Sequence, residues 1–134
     1  MTTDQLRAGN QTVLQRYVDA WRSGDAPGLF ACYHDEFTLH YPGANPLSGR
    51  HTGKAAALAV LAQVSQRTRR RLVRIVEAVA GAERAMIVAH ERFSRDGRED
   101  ELERVLVYTL QDGLLRTCWV FDQDQALIDW YLRD

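Results

Sequence analysis

The chain has 134 residues, of which 46% are hydrophobic and 26% charged, so one domain with a sizeable core is expected. Its formal net charge of -1 gives no electrostatic basis for binding nucleic acid or an anionic membrane surface. We therefore predict a single domain over residues 1–134, with neither nucleic acid nor a membrane as a partner.

The cysteines and histidines predict no metal or disulfide framework. Cys32 and Cys118 lie far apart without a paired-cysteine motif, and the histidines follow no metal-binding spacing. The N-terminus has no basic segment followed by an apolar run, and the longest apolar run, residues 55–62, is too short to cross a bilayer. A cytoplasmic protein without metal or cofactor is expected.

Helical patterns dominate the first half of the chain. Apolar residues recur at helical spacing over residues 10–23, and Gly24 ends that helix. Asp25 caps a second, short helix, which tolerates Pro27 in its first turn. A third helix is predicted over residues 53–65. The buried face of the short helix is predicted to consist of Leu29, Phe30 and Tyr33.

The segment over residues 37–53 joins a strand to the third helix through an irregular crossover. The strand formers that begin with Phe37 are followed by a loop rich in proline and glycine, which cannot continue a ladder. His40, Tyr41 and His51 lie on this crossover. Ionisable groups at the end of a strand, beside a rigid loop, are well placed to line a pocket.

The second half of the chain predicts an antiparallel meander. Asp-Gly turns separate strand-like runs, which is a strong hairpin signal. A final helix is predicted over residues 123–132. The predicted fold is α+β, with a curled antiparallel sheet packed on three N-terminal helices that enclose a conical cavity. The strand-like runs cover residues 71–80, 85–94, 102–111 and 114–121.

This order of elements resembles the nuclear transport factor two-like, or cystatin-like, superfamily, and within it the SnoaL-like polyketide cyclases and the ketosteroid isomerases. The most specific motif is the Gly-x-x-Pro-x-Ser-Gly spacing that begins at Gly43. The spacing of Arg16-Tyr17, Gly24-Asp25 and Tyr33 also matches those isomerases. The resemblance implies the same fold and a cavity that binds a small hydrophobic molecule.

The resemblance also implies roles for individual residues. Tyr17 matches the tyrosine that donates a hydrogen bond to a developing enolate oxygen, and Tyr33 matches one that supports it. The general base of those isomerases lies at the end of the first strand. That position falls on His40 when the sequences are aligned on the Gly-x-x-Pro-x-Ser-Gly loop, and on Tyr41 when they are aligned from Tyr17 without a gap. Glu103 falls near the second oxyanion donor. Where the cyclases have a His-Trp-Asp run, this chain has Cys118-Trp119-Val120.

The residues themselves leave the orientation of His40 open. A histidine titrates near neutrality and can accept a proton from an activated carbon or water. Strand alternation groups Phe37, Leu39 and Tyr41 on the apolar face and places His40 on the other face. A bend at Pro42 would break that alternation and turn His40 towards the pocket.

The remaining candidates have similar alternatives. Glu103 shares its strand face with valines and is expected to point inward, or else to be a solvent-exposed partner of a neighbouring arginine. His90 belongs to the core or to the convex surface, and His51 would gate the mouth of the pocket. Trp119 would close the cavity or form a dimer contact.

We predict a cofactor-free enzyme that transfers a proton next to a carbonyl, giving isomerisation, cyclisation or dehydration. His40 would be the base and Tyr17 the oxyanion donor, with Glu103 and Tyr33 auxiliary. A binding protein for a hydrophobic ligand is the main alternative. Water addition to an epoxide is another alternative. That chemistry requires two aspartates and an arginine in the pocket, of which Asp122 and Arg116 would supply part. Strands that are apolar on both faces further predict a homodimer.

Overall fold

The computed structural model describes residues 1–134 as four helices and one six-stranded sheet. No helix is both long and apolar enough to cross a bilayer. The elements in chain order are α1 (Thr3–Ser23), α2 (Ala26–Phe30), β1 (Tyr33–Tyr41), β2 (Gly49–Thr52), α3 (Lys54–Thr68), β3 (Arg71–Ala80), β4 (Arg84–Arg95), β5 (Arg98–Gln111), β6 (Leu114–Asp122) and α4 (Gln125–Tyr131).

The sheet has the order β2-β1-β6-β5-β4-β3, which confirms the predicted α+β fold and its meander of four sequential strands. The β1–β6 pair is parallel, whereas all other pairs are antiparallel. Asp96-Gly97 and Asp112-Gly113 both adopt positive φ angles, as tight hairpins require. The Asp-Gly turns therefore set the register of β4, β5 and β6.

Two elements differ from the sequence prediction. Helix α1 begins at Thr3 rather than near residue 10, because Thr2 and Gln5 form a capping box that supports a polar first turn. Strand β2 was not predicted, since its four residues carry no apolar alternation. It pairs with β1, and this pairing places His51 opposite Leu39.

Helices α1 and α3 cover the inner face of the curled sheet. Helix α1 packs on β3 and β4, whereas α3 packs on β1. The core of 26 buried residues lies between these helices and the sheet. Helix α2 has no fully buried residue and packs on α1, where it closes one side of the space under the sheet. The result is a cavity between the inner sheet face and the three N-terminal helices.

The crossover loop after β1 is held by Asp129 of helix α4. The backbone amide of Ala44 donates to Oδ2 of Asp129 at 3.1 Å. Asn45 and Gln125 donate side-chain hydrogen bonds to its Oδ1 at 2.8 and 2.9 Å. Burial opposes the charge, but these hydrogen bonds prevail and lower the pKa of Asp129. A carboxylate on the last helix thus fixes the loop that follows β1.

We expect Asp129→Asn to lower the free energy of unfolding by about 1–2 kcal/mol near neutral pH, because its amide cannot accept all three hydrogen bonds. The lowered pKa means that this stabilisation is present above the unfolded-state value of 3.8 and is lost as the pH falls through the folded-state value. Urea denaturation at several pH values would measure it. A difference from wild type that stays constant down to acidic pH would contradict the role of the charge, and the exposed Asp35→Asn serves as the control.

Candidate active site

The cavity under the sheet has a volume of about 260 Å³ and a predominantly hydrophobic lining. Its apolar wall includes Leu39, Leu106 and Val120 from the sheet and Trp21 and Leu58 from the helices. Only three charged side chains line it, and these are Arg70, Glu91 and Arg104. The cavity therefore suits a small, largely apolar molecule with a polar group at one position.

Three tyrosines form one polar cluster in this cavity. The hydroxyl oxygens of Tyr17 and Tyr33 lie 2.5 Å apart, and the ring of Tyr108 packs against Tyr17 with centroids separated by 5.7 Å. Burial raises the pKa of Tyr17 to about 12, although hydrogen bonding with Tyr108 and Tyr33 opposes the shift. These phenols are therefore neutral hydrogen-bond donors near neutral pH.

Arg104 anchors the second polar cluster. Its Nε donates to Oδ1 of Asp122 at 2.5 Å, and its Nη2 donates to Oδ2 at 3.2 Å. Both side chains are almost fully buried, with 1% and 0% of their surface exposed. Burial disfavours the charged guanidinium, but its neighbours, Tyr41 first among them, outweigh burial and raise the pKa of Arg104. Arg104 is therefore a permanent buried cation held in a fixed orientation by Asp122.

Tyr41 is oriented by the same guanidinium. Nη2 of Arg104 donates to the Tyr41 hydroxyl oxygen at 2.7 Å. Burial raises the pKa of Tyr41, and the opposing charge of Arg104 does not cancel that shift. Because the Tyr41 oxygen already accepts a hydrogen bond, its own proton is available to a ligand. Tyr41 can therefore donate a hydrogen bond to an oxygen atom in the cavity.

Glu91 completes this cluster from strand β4. Its side chain is 2% exposed, and its Oε2 lies 3.3 Å from Nε of Arg70. That contact lacks hydrogen-bond geometry, so Oε2 is a buried oxygen without a hydrogen-bond partner. A buried carboxylate oxygen in this state is costly unless a ligand or proton satisfies it. Glu91 is therefore the one carboxylate that lines the cavity, and its Oε2 can still take a hydrogen bond from a ligand.

The structure corrects the expected position of His40. Pro42 does not break the alternation of β1, so Tyr41 faces the cavity and His40 faces the outer side of the sheet. There its ring stacks on Trp119, with centroids 4.3 Å apart and planes inclined by 2°. Burial, followed by the charge of Arg50, lowers the pKa of His40. Since neither ring lines the cavity, Trp119 does not close it either.

Glu103 also lies outside the cavity, contrary to the expectation. Strand β5 buries Leu102, Arg104 and Leu106 on its inner face and leaves Glu103 on the outer face. Both faces of β5 carry large apolar residues, so the alternation of this strand alone predicted the wrong face for Glu103. His90 likewise lies on the outer face, where its Nε2 is 3.3 Å from Oε1 of Glu101.

The other predicted residues divide between the cavity and its surroundings. Asp122 contacts Arg104 rather than Arg116, which instead bonds to the backbone oxygen of Glu36. His51 bonds to the backbone oxygen of Leu47 at 2.8 Å and does not line the cavity. Those that do line the cavity are Tyr17, Tyr33, Tyr41, Cys118 and Val120.

The sequence prediction missed Glu91, Arg70 and Arg104 as cavity residues. The available signal was a charged residue between apolar residues on the same strand face. Glu91 lies between Ala89 and Phe93 in this alternation, and all three are buried. Such a charge on a core face requires a buried partner or a functional role.

Comparison with known protein families identifies the family of this chain. The sequence profile of the SnoaL-like domain matches residues 14–117. The chain belongs to the SnoaL-like family. No curated protein matches this SnoaL-like chain at the level required for a significant relationship.

Solved structures confirm the fold of the SnoaL-like chain. Bal32a from a soil-derived mobile gene cassette is 19% identical, with a TM-score of 0.85 over 96% of this chain and 99% of that one. A nuclear transport factor 2-like protein of Burkholderia xenovorans is 25% identical, with a TM-score of 0.75 over 95% and 98%. A candidate polyketide cyclase of Silicibacter sp. is 22% identical, with a TM-score of 0.71 over 90% and 93%.

Proposed function

We propose that this SnoaL-like protein is a cofactor-free enzyme that transfers a proton next to a carbonyl group of a small hydrophobic substrate. The observation that carries the proposal is Oε2 of Glu91, which is buried in the wall of an apolar cavity and pairs with Arg70 but receives no hydrogen bond. A carboxylate oxygen that lines the cavity without a hydrogen bond is placed to accept a proton from a bound substrate. The candidate polyketide cyclase among the structural neighbours is consistent with this class of chemistry.

In this proposal Glu91 is the base, and Tyr41 is the hydrogen-bond donor to the carbonyl oxygen. As Glu91 removes a proton from the carbon next to the carbonyl, negative charge develops on the oxygen, where the Tyr41 hydroxyl stabilises it. Arg104 holds and polarises Tyr41, and Asp122 holds Arg104. Return of the proton to another carbon gives isomerisation, whereas attack on a second carbonyl or loss of a hydroxyl gives cyclisation or dehydration.

Proton exchange in D₂O tests the proposal without knowledge of the natural substrate. Small cyclic ketones, enones and β-ketoesters incubated with the protein should exchange the hydrogens next to their carbonyl faster than in buffer alone, as followed by proton NMR. The control is the same protein with Glu91→Gln. Exchange no faster than in buffer for every compound would favour a binding protein for a hydrophobic ligand.

Water addition to an epoxide is a second candidate, and one contact favours it. The buried pair of Arg104 and Asp122, with Glu91 close enough for its charge to act on Arg104, gives two carboxylates around one guanidinium. One carboxylate would activate water while a protonated group donates to the epoxide oxygen. Incorporation of oxygen from H₂¹⁸O into a diol product would establish this reaction in place of carbonyl proton exchange.

We further propose that two copies associate through the outer sheet face. That face carries the stacked His40 and Trp119 and an exposed Phe121, which has 56% of its surface accessible. Light scattering should give a mass of about twice 15.3 kDa at micromolar concentration. Val107→Asp, at a partly exposed position on this face, should yield the monomer, whereas Leu6→Asp, at an exposed apolar residue of α1, should not. A monomeric wild-type protein would contradict the interface.

A further inference from the structure

A polar groove outside the cavity runs past the C-terminal end of α3 and the turn of the β4–β5 hairpin. It consists of two adjoining pockets that share Arg69, Ser94 and Glu99, and no hydrophobic residue lines either of them. The only acidic side chains in its lining are those of Asp96 and Glu99. Six arginines line the groove, and these are Arg67, Arg69, Arg71, Arg92, Arg95 and Arg98. The groove is therefore strongly cationic, although the whole chain has a net charge of -1.

The pairing of the strands brings like charges together in this groove. Arg71 of β3 lies directly opposite Arg92 of β4. Arg95 and Arg98 lie opposite each other at the end of the β4–β5 hairpin. Like charges at opposed positions of an antiparallel pair destabilise the sheet. An anion bound between these arginines would replace the repulsion with attraction.

Arg69 adds a cation from the end of α3. It follows the last residue of the helix with a φ angle of 49°, in the left-handed region that favours glycine. The next residue, Arg70, turns towards the cavity, where it contacts Glu91 and Ser65. Arg69 and Arg71, on either side of it, are exposed and form no ion pair or side-chain hydrogen bond. Both guanidinium groups are therefore free to bind a ligand in the groove.

Arg92 contributes a buried donor. Its Nε makes no hydrogen bond, although it lies 3.5 Å from Oε1 of Glu99. Its Nη2 lies 3.7 Å from Oε1 of Glu101. The two glutamate side chains are 62% and 42% exposed, so water screens both contacts. A buried N–H group without a hydrogen bond is costly, and an anion that displaces Glu99 into solvent would satisfy it.

The composition of the groove indicates the class of its ligand. Guanidinium groups bind phosphate oxygens through paired hydrogen bonds. The core of a protein interface is rich in apolar and aromatic side chains, and single-stranded nucleic acids stack on aromatic rings, but no such side chain lines this groove. Because the two pockets share Arg69, one small ligand with two linked anionic groups can occupy both.

We propose that this groove binds a small molecule that carries two linked phosphate groups. Arg69 lies between the two groups in this arrangement. Arg71 and Arg92 bind one phosphate, and Arg95 and Arg98 bind the other. The groove lies outside the cavity, so this inference does not depend on the proposed function.

Inorganic pyrophosphate is the probe, and orthophosphate and sulfate are the single-group comparisons. Isothermal titration calorimetry without divalent cations, at a salt concentration of about 0.1 M, would measure each Kd. We expect pyrophosphate to bind at least about tenfold more tightly than either comparison anion, because its two groups occupy both pockets at once. Equal affinities for the three anions would contradict a site for two linked groups.

Substitutions in the groove assign the binding to it. Arg69→Gln and Arg71→Gln should each weaken pyrophosphate binding about tenfold, since each removes a charge-assisted hydrogen bond. Glu99→Gln should strengthen binding by roughly threefold, because it removes a carboxylate that repels the anion. Arg74→Gln is the matched control, since it removes the same charge from an exposed residue of β3 that lies outside the groove.

The outcomes decide between a site and general attraction to positive charge. Weaker binding in both groove variants, tighter binding in Glu99→Gln and no change in Arg74→Gln would support the inference. Equal losses in Arg74→Gln and the groove variants would overturn it, as would failure of pyrophosphate to bind at millimolar concentration. Tight binding of a polyglutamate peptide that pyrophosphate does not displace would assign the groove to an acidic protein instead. Circular dichroism would identify a variant that fails to fold, and the other arginine variant then decides.

Discussion

Replacing Glu91 with glutamine should slow turnover of a carbonyl substrate by about 10²–10⁴-fold while the protein remains folded. The substitution preserves the shape of the side chain and removes the carboxylate that accepts the proton. Because glutamine can still contact the ligand, KM should change by no more than a few-fold. Steady-state kinetics or NMR exchange rates would measure the effect, with circular dichroism to verify the fold.

Two residues on the outer sheet face provide controls for Glu91. Glu103→Gln makes the same chemical change on the neighbouring strand but outside the cavity. His40→Ala removes the histidine that sequence reasoning favoured as the base. Both variants should retain turnover within about twofold. If His40→Ala abolished turnover and Glu91→Gln did not, the base would have been assigned to the wrong side of the sheet.

Replacing Arg104 with methionine should produce the largest loss of stability, about 3–5 kcal/mol, because it leaves the carboxylate of Asp122 buried without a partner. The Tm should fall by roughly 10 °C or more. The double variant Arg104→Met with Asp122→Leu removes both charges and should recover much of that loss. Thermal and urea denaturation of the single and double variants would measure it.

The exposed ion pair of Arg116 offers a matched comparison. Arg116 lies 3.9 Å from a carboxylate oxygen of Glu36, whose side chain is 71% exposed. Arg116→Met should therefore cost less than about 1 kcal/mol. Equal losses for Arg104→Met and Arg116→Met would show that burial of the Arg104 pair has no energetic consequence. Equal stability of the Arg104 single variant and the double variant would contradict the unpaired-charge explanation.

The sequence predicted the elements of the fold more completely than their orientations. The Asp-Gly turns fixed three strands of the meander, because positive φ angles at both turn residues strongly restrict the hairpin geometry. Helical spacing predicted a helix over residues 10–23, and in the structure Tyr17 of that helix lies in the cavity wall. Strand β2 escaped prediction because its pairing with β1, rather than its composition, makes it a strand.

The polar residues of the cavity were harder to predict because they violate the pattern that identifies a core. Strand β5 is apolar on both faces, so its alternation could not decide between Glu103 and Arg104. A buried arginine is favourable only with its partners, and Asp122 and Tyr41 come from two other strands. His40 was attractive because it titrates near neutrality, yet the alternation of β1 already indicated the outer face. The burial of Arg104 depends on side chains from other strands, and the sequence of a single strand does not contain that information.

The parallel pairing of β1 with β6 has a consequence for how the chain acquires its structure. The backbone amide of Leu115 donates to the carbonyl of Cys32 at 2.8 Å, and the two strands meet again at Leu39 and Cys118. These contacts close a loop of about eighty residues. Closing that loop costs conformational entropy before the pairing of the two strands contributes any stability. The β3–β5 meander can form early from local contacts, whereas β1 must wait until β6 has left the ribosome. This topology therefore predicts that β1 docks slowly and late during folding.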